Sequence, residues 1–221
     1  RPLAEHAYGG IPPADGPPPV RPQEPPMTEP ARVDYRDPRV LQPSFRRIYR
    51  APSYATAGPG GAEAIDVLAQ ILGTGPTSRL YRALLLEGAV AASAGAYYAG
   101  TALDNGTFGL FATPRPGVAL ETVEAAIDQV IADLLAGGIT DAELQRAKTN
   151  LVADTIYARD NQRWLAQAYG SGLTTGLTVA DVTAYPDRIA EVTAGQVLQV
   201  ARDLLQSPAH VTGYLQPEDR S

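Results

Sequence analysis

From Ala119 to Leu205 apolar residues recur at helical spacing, interrupted only by glycine, proline and capping positions, while the segments to either side alternate as strands do. Val123, Ile127, Val130, Ile131 and Leu134 fall on one face of a helix over 119–136 that ends at Gly137-Gly138. Thr140-Asp-Ala-Glu143 has the form of a capping box and opens a long helix to about Tyr157. Helices over 161–170, 179–190 and 193–205 follow, the middle one broken or kinked at Pro186. Upstream, Ser44–Arg50 alternates, 62–72 is helical with Gly73 as its stop, and Thr77 or Ser78 caps a helix to about Leu86, closed by Gly88. Residues 89–98 and 107–113 read as two strands, joined by a hairpin turn at Leu103-Asp104-Asn105-Gly106, where Asn-Gly accepts positive φ. His210–Leu215 closes the pattern as a strand. The order β-α-α-β-β-α-α-α-α-α-β, with no internal repeat, predicts an α+β fold: a mainly antiparallel sheet with helices packed on one face.

Residues 1–43 lack the apolar content to bury a core. Proline runs at 17–19 and 25–26 favour extended, solvated backbone, so this stretch reads as a proline-rich, domain-connecting linker, with 44–221 as the globular domain. A ligand for proline-binding modules is the alternative, but the basic flanks such ligands carry are missing. Arg1 as a first residue suggests a fragment cut from a longer protein, so targeting cannot be judged from this end.

The composition removes most self-contained chemistry. With 24 acidic against 18 basic residues and a net charge of −6, clustered cations for a phosphate backbone are lacking, so no nucleic-acid partner is expected. No apolar run reaches the ~20 residues of a membrane span. There is no cysteine, and the two histidines, His6 and His210, are far apart. Thiolate nucleophiles and Cys-ligated zinc are excluded, and no metal site is expected in this chain. Neither a G-x-S-x-G elbow nor a phosphate loop occurs. Gly73 and Gly75 belong to a tight turn, since Pro76 removes a donor a phosphate would need. Carboxylate pairs such as Glu121/Glu124 and Asp128/Asp133 read as helix-surface charge.

Two segments carry a resemblance. Leu72-Gly-Thr-Gly-Pro-Thr-Ser-Arg-Leu-Tyr-Arg-Ala-Leu84 is similar to the glycine turn and Ser-Arg-Leu helix of the M16 metallopeptidases (pitrilysin, insulysin, mitochondrial processing peptidase). Ile139-Thr-Asp-Ala-Glu-Leu-Gln-Arg-Ala-Lys-Thr-Asn-Leu151 resembles the same family's T-x-x-E-L-x-R-A-K-x-x-L helix. Leu173–Thr178 and Arg188–Thr193 match its bacterial branch, so the likeness covers 44–216. The resemblance implies a chamber built from two similar halves around a peptide. One half carries an inverted H-x-x-E-H zinc site; the other lacks zinc and often supplies an Arg-x6-Tyr pair to the substrate. This chain, without the zinc motif, resembles the zinc-free, C-terminal-type half.

The resemblance also marks a loss. Leu85 stands where the family's arginine belongs and Ala92 where its tyrosine belongs, and neither side chain donates a hydrogen bond. Arg82, one turn before Leu85, and Tyr97, further down the strand, are the candidates to replace them. No catalytic residue is therefore assigned, and Arg79, Arg82, Tyr97 and Tyr98 are the substrate-binding candidates. Arg79 sits early on a helix, where a cation is unfavourable, so anchoring to a carboxylate or carbonyl is its favoured role. Tyr97 and Tyr98 are consecutive on a strand and must face opposite sides. Glu143, Arg146 and Lys148 read as a solvated helix face, Trp164 as core or inter-half interface, and His210 as partly buried.

The expected function is to complete a proteolytic chamber, bind unfolded peptide along a sheet edge by strand addition, and position it at zinc held by a companion half. Alone the chain should bind no zinc and cleave nothing. A non-catalytic assembly subunit of the same fold is the alternative, and a free-standing small-molecule-binding domain a more remote one. A periplasmic location follows from the bacterial resemblance, with a cytoplasmic one as the alternative.

Overall fold

In the computed structural model, residues 1–12, 16, 17, 22, 25, 27–158 and 160–218 are described. Pro18, Pro19 and Pro26 of the proline runs lie outside them. Five strands form one sheet in the order β1-β5-β2-β4-β3: β1 (Ala31–Asp37), β2 (Ser44–Ala51), β3 (Ala91–Ala99), β4 (Gly106–Pro114) and β5 (His210–Pro217). All neighbours are antiparallel except β1 and β5, which run parallel. This is the α+β class, with helices on one face.

Three helices cover that face: α2 (Gly61–Gly73), α3 (Leu120–Gly137) and α8 (Ala194–Leu205), following a short exposed α1 (Pro2–Tyr8). They close over inward-pointing Phe45, Tyr49, Phe108, Leu110 and Tyr214, with Phe45 edge-on to Tyr214 and Tyr49 edge-on to Phe108. Because α2 packs against both the sheet and α4 (Asp141–Ala158), it is buried nearly all round from Ala62 to Leu72. The outer layer is α4, α5 (Gln162–Thr174), α6 (Val179–Thr183) and α7 (Tyr185–Glu191). Pro186 sits in the first turn of α7, where its missing N–H is harmless, and the chain breaks at Ala184 as expected.

Four local expectations need correction. Residues 31–37 lie within the segment read as a linker, yet they form β1. Val33 and Tyr35 alternate there, but the strand stays exposed and exists because β5, distant in sequence, pairs with it. The helix after the glycine turn is a π-helix over Tyr81–Glu87, where Gly88 N–H reaches back to the Ala83 carbonyl. Ser78 does not cap it; its hydroxyl donates to the Gly75 carbonyl. Finally, the hairpin forms, but Gly106 does not take the positive φ expected of it. It lies in β4, where a Cβ would fall 2.3 Å from the Ala99 carbonyl oxygen, so close strand approach is what requires glycine.

Candidate functional site

Among the described residues no helix packs on the sheet's second face. Its register lines up Val33 and Tyr35 on β1, Val211 and Leu215 on β5, Arg46, Ile48 and Arg50 on β2, Phe111 on β4 and Tyr97 on β3. Alternation alone puts them there, since their neighbours Phe45, Tyr49, Leu110 and Tyr214 are buried on the helix side. Glycine shapes the surface. The Tyr97 ring lies over Gly109, and the Phe111 ring over Gly95, each so close that a Cβ would fall within 2.5 Å of it. Val33, Tyr35, Ile48, Tyr97, Phe111 and Leu215 are each 37–56% exposed, which makes this an aromatic and aliphatic surface, with Arg46 set in register between Val33 and Phe111 and Arg50 towards one end. Such a surface suits apolar groups.

The sheet has two outer edges. That of β3 is obstructed at its centre, because a Cβ on Gly73 would fall 1.7 Å from the Ala96 backbone nitrogen. The outer edge of β1 has no partner strand among the described residues.

The four binding candidates separate. Tyr97 points onto the open face, while Tyr98 points inward and donates to the Pro52 carbonyl. Arg82 is exposed beside Glu87 in a groove it shares with Arg79, Asp133 and Arg146, on the helical side. Arg79 is anchored through Nε and one terminal nitrogen: it donates to both oxygens of Glu143 at 2.8 and 2.9 Å and to the Gly138 carbonyl at 2.7 Å. It thus ties the end of α3 to the start of α4. Glu143 is accordingly not part of a solvated face, and it also closes the capping box with Thr140. The Arg79 guanidinium and the Thr140 donors hold its carboxyl down at about 2. Because that value lies below the ordinary one, the pair's contribution is full above pH ~4.5 and is lost as pH falls towards 2. Arg79→Ala should cost about 2 kcal/mol at pH 7, and urea titrations should show the gap from the parent narrowing below pH 4.

Leu85 is half-buried against the core, and Ala92 sits exposed at a bulge between Ala91 and Ser93. A cation does stand nearby, one the sequence reading missed. Arg115, in the turn after β4, donates to the carbonyls of Leu85 (3.1 Å) and Ala91 (3.3 Å). Only its place in Pro114-Arg-Pro-Gly117 hinted at it. Trp164 is not core: it is exposed and lines a pocket between the outer helices. His210 is half-buried, with its ring against Tyr49.

No group of three or more His, Asp or Glu among the described residues could hold a metal ion. The two histidines sit apart on α1 and β5, so the described residues bring together no donor set that fits zinc. Residues 1–151 match the model of the peptidase M16 inactive domain. The chain belongs to the M16 peptidase family. The match takes in β1 and the segment before it and ends within α4. An uncharacterized zinc protease of Streptomyces coelicolor is 34% identical over 145 residues, 64% of this chain and 30% of that protein. A protease from Helicobacter pylori superposes with a TM-score of 0.86 at 21% identity, over 98% of this chain and 51% of that one. The first half of the periplasmic protease PqqL from Escherichia coli superposes at 0.75 with 14% identity, over 97% and 47%. This M16 domain therefore spans about a third of one relative and about half of the others.

Proposed function

We propose that this inactive M16 domain is the zinc-free wall of a proteolytic chamber, joined by the residues ahead of β1 to a half that bears the zinc. The open sheet face carries the reading. A helix-free, aromatic-rich sheet surface has no use in an isolated domain but suits an extended peptide, which presents apolar side chains and unpaired backbone groups together. Tyr97 and Phe111 would grip side chains, Arg46 and Arg50 would meet acidic groups, and strand addition would fall to the edge of β1, since α2 obstructs β3. In this reading the chain lowers the entropy of the bound peptide and orients it, while hydrolysis belongs to the companion. The periplasm is the proposed compartment. PqqL is described as periplasmic, and no helix among the described residues is long and apolar enough to cross a membrane.

The test is cleavage of a quenched unstructured peptide by the zinc-bearing half, with and without this chain. Addition should raise the rate, and Tyr97→Ala should remove about tenfold of the gain through KM. Binding of the two halves without any gain would overturn the reading. It would favour a non-catalytic assembly subunit, for which the donor-less Leu85 and Ala92 already speak.

A further inference from the structure

A second concave site lies apart from the open sheet face. Helices α4, α5, α6 and α7, with Tyr54 and Thr101, line an open cleft of about 580 Å³, within the range of small-ligand pockets, and none of the open-face side chains lines it. Its walls carry three aromatic rings, Tyr54, Trp164 and Tyr185. Asn161 sets the position of Trp164 by capping α5 through the Trp164 backbone N–H. Among the described residues the indole N–H has no acceptor, and the Asp154 carboxylate, at the exposed end of α4, makes no hydrogen bond or ion pair.

Charge in and behind the pocket is not balanced. Arg188, the cation of the lining, is matched by Glu63 at 2.5 Å and Asp181 at 3.7 Å. Asp154 is left over. So is Asp66, buried behind the tyrosines and accepting from the hydroxyls of Tyr54 and Tyr185. Burial pushes the Asp66 carboxyl up, to about 6, against the two tyrosine hydroxyls that hold it down. Aromatic faces beside unmatched carboxylates favour a flat cation, because a guanidinium stacks on rings and donates in its own plane.

We infer that this pocket takes the guanidinium of an arginine side chain presented by a peptide, stacked against Trp164 and paired with Asp154. The site reaches beyond the open-face reading, because it gives the domain a preference for one residue type at a distance from the sheet.

Trp164 is the chain's one tryptophan, so its fluorescence reports this pocket. The probes are acetyl-Ala-Ala-Arg-Ala-Ala-amide and its citrulline counterpart, which keeps the shape and loses the charge. The arginine peptide should give a saturable change, the citrulline peptide should bind about tenfold more weakly, and Asp154→Asn should weaken the arginine peptide several-fold. Tyr97→Ala should leave the titration unmoved. Equal responses to the two peptides, or no saturable response to either, would overturn the assignment.

Discussion

Arg47→Ala is expected to lower the free energy of unfolding by about 3–5 kcal/mol, the cost of stripping one partner from a buried ionic network. Arg47 lies on β2, facing the helices, and is 8% exposed. It donates to Thr212 on β5 at 3.0 Å, to Glu124 on α3 at 2.6 Å, and to Asp128 one turn further on. Glu124 also accepts from Tyr214 at 2.5 Å and from Arg32 on β1 at 3.1 Å, and the Arg32 guanidinium rests over the Tyr214 ring. Burial alone would push Glu124 up, but the Tyr214 hydroxyl and the two guanidiniums outweigh it and hold its carboxyl below the usual range. The network's contribution is therefore present above pH ~4.5 and fades in acid. Guanidinium unfolding checks the size of the loss, and hydrogen exchange should show β1 and β5 opening first. Arg47→Met combined with Glu124→Gln should recover most of the loss, since neither side chain then leaves a buried charge and Gln still accepts from Tyr214. Equal losses in the single and double variants would contradict this account.

A second large effect is expected from the smallest possible substitution. Gly73→Ala adds a Cβ that would meet the Ala96 nitrogen, the Gly95 carbonyl carbon and the Ala96 Cα at 1.7, 2.5 and 2.6 Å. All three are backbone atoms of β3, so no rotamer relieves the clash and α2 must move off the sheet. A loss of about 3 kcal/mol is expected, even though alanine gains roughly 1 kcal/mol in helix propensity. Gly137→Ala is the control. It has no atom within 4 Å of the added Cβ and no positive φ, so there the propensity gain should stand alone as a rise in Tm. If both variants behaved alike, the close packing of α2 on β3 would be wrong.

What could be read from the sequence was what is local. The apolar stripe of α3, the Thr140–Glu143 box and the break at Pro186 are each set by neighbours within a turn or two, and all stand in the structure. The strand β1 escaped because its charged, half-apolar residues acquire a partner only from the far end of the chain. Gly106 was misread because Asn-Gly suggests a turn, whereas its contact with Ala99 lies across the hairpin. The same division holds at the sites. Strict alternation placed Tyr97 and Tyr98 on opposite faces, but Phe111 joins Tyr97 only through register. The arginine pocket was invisible in the sequence, since Tyr54, Asp154, Trp164 and Tyr185 come from four separate stretches. Glu143 looked like one helix-surface charge among several until Arg79, distant in sequence, came to meet it.

The strand order has a further consequence for how the molecule is made. Strands β1 and β2 follow each other closely in the chain, yet β5 lies between them, and β5 is the last described element to leave the ribosome. Until it arrives, β1 has no neighbour and β2 shows an unpaired edge, so the nascent domain carries an open slot two strand spacings, about 10 Å, across. Sheet closure is then a late insertion, made against the loop-closure entropy of the residues that separate β5 from β1 and β2. A nascent-chain complex stalled before His210 should therefore keep β2, β3 and β4 together while β1 stays sensitive to protease.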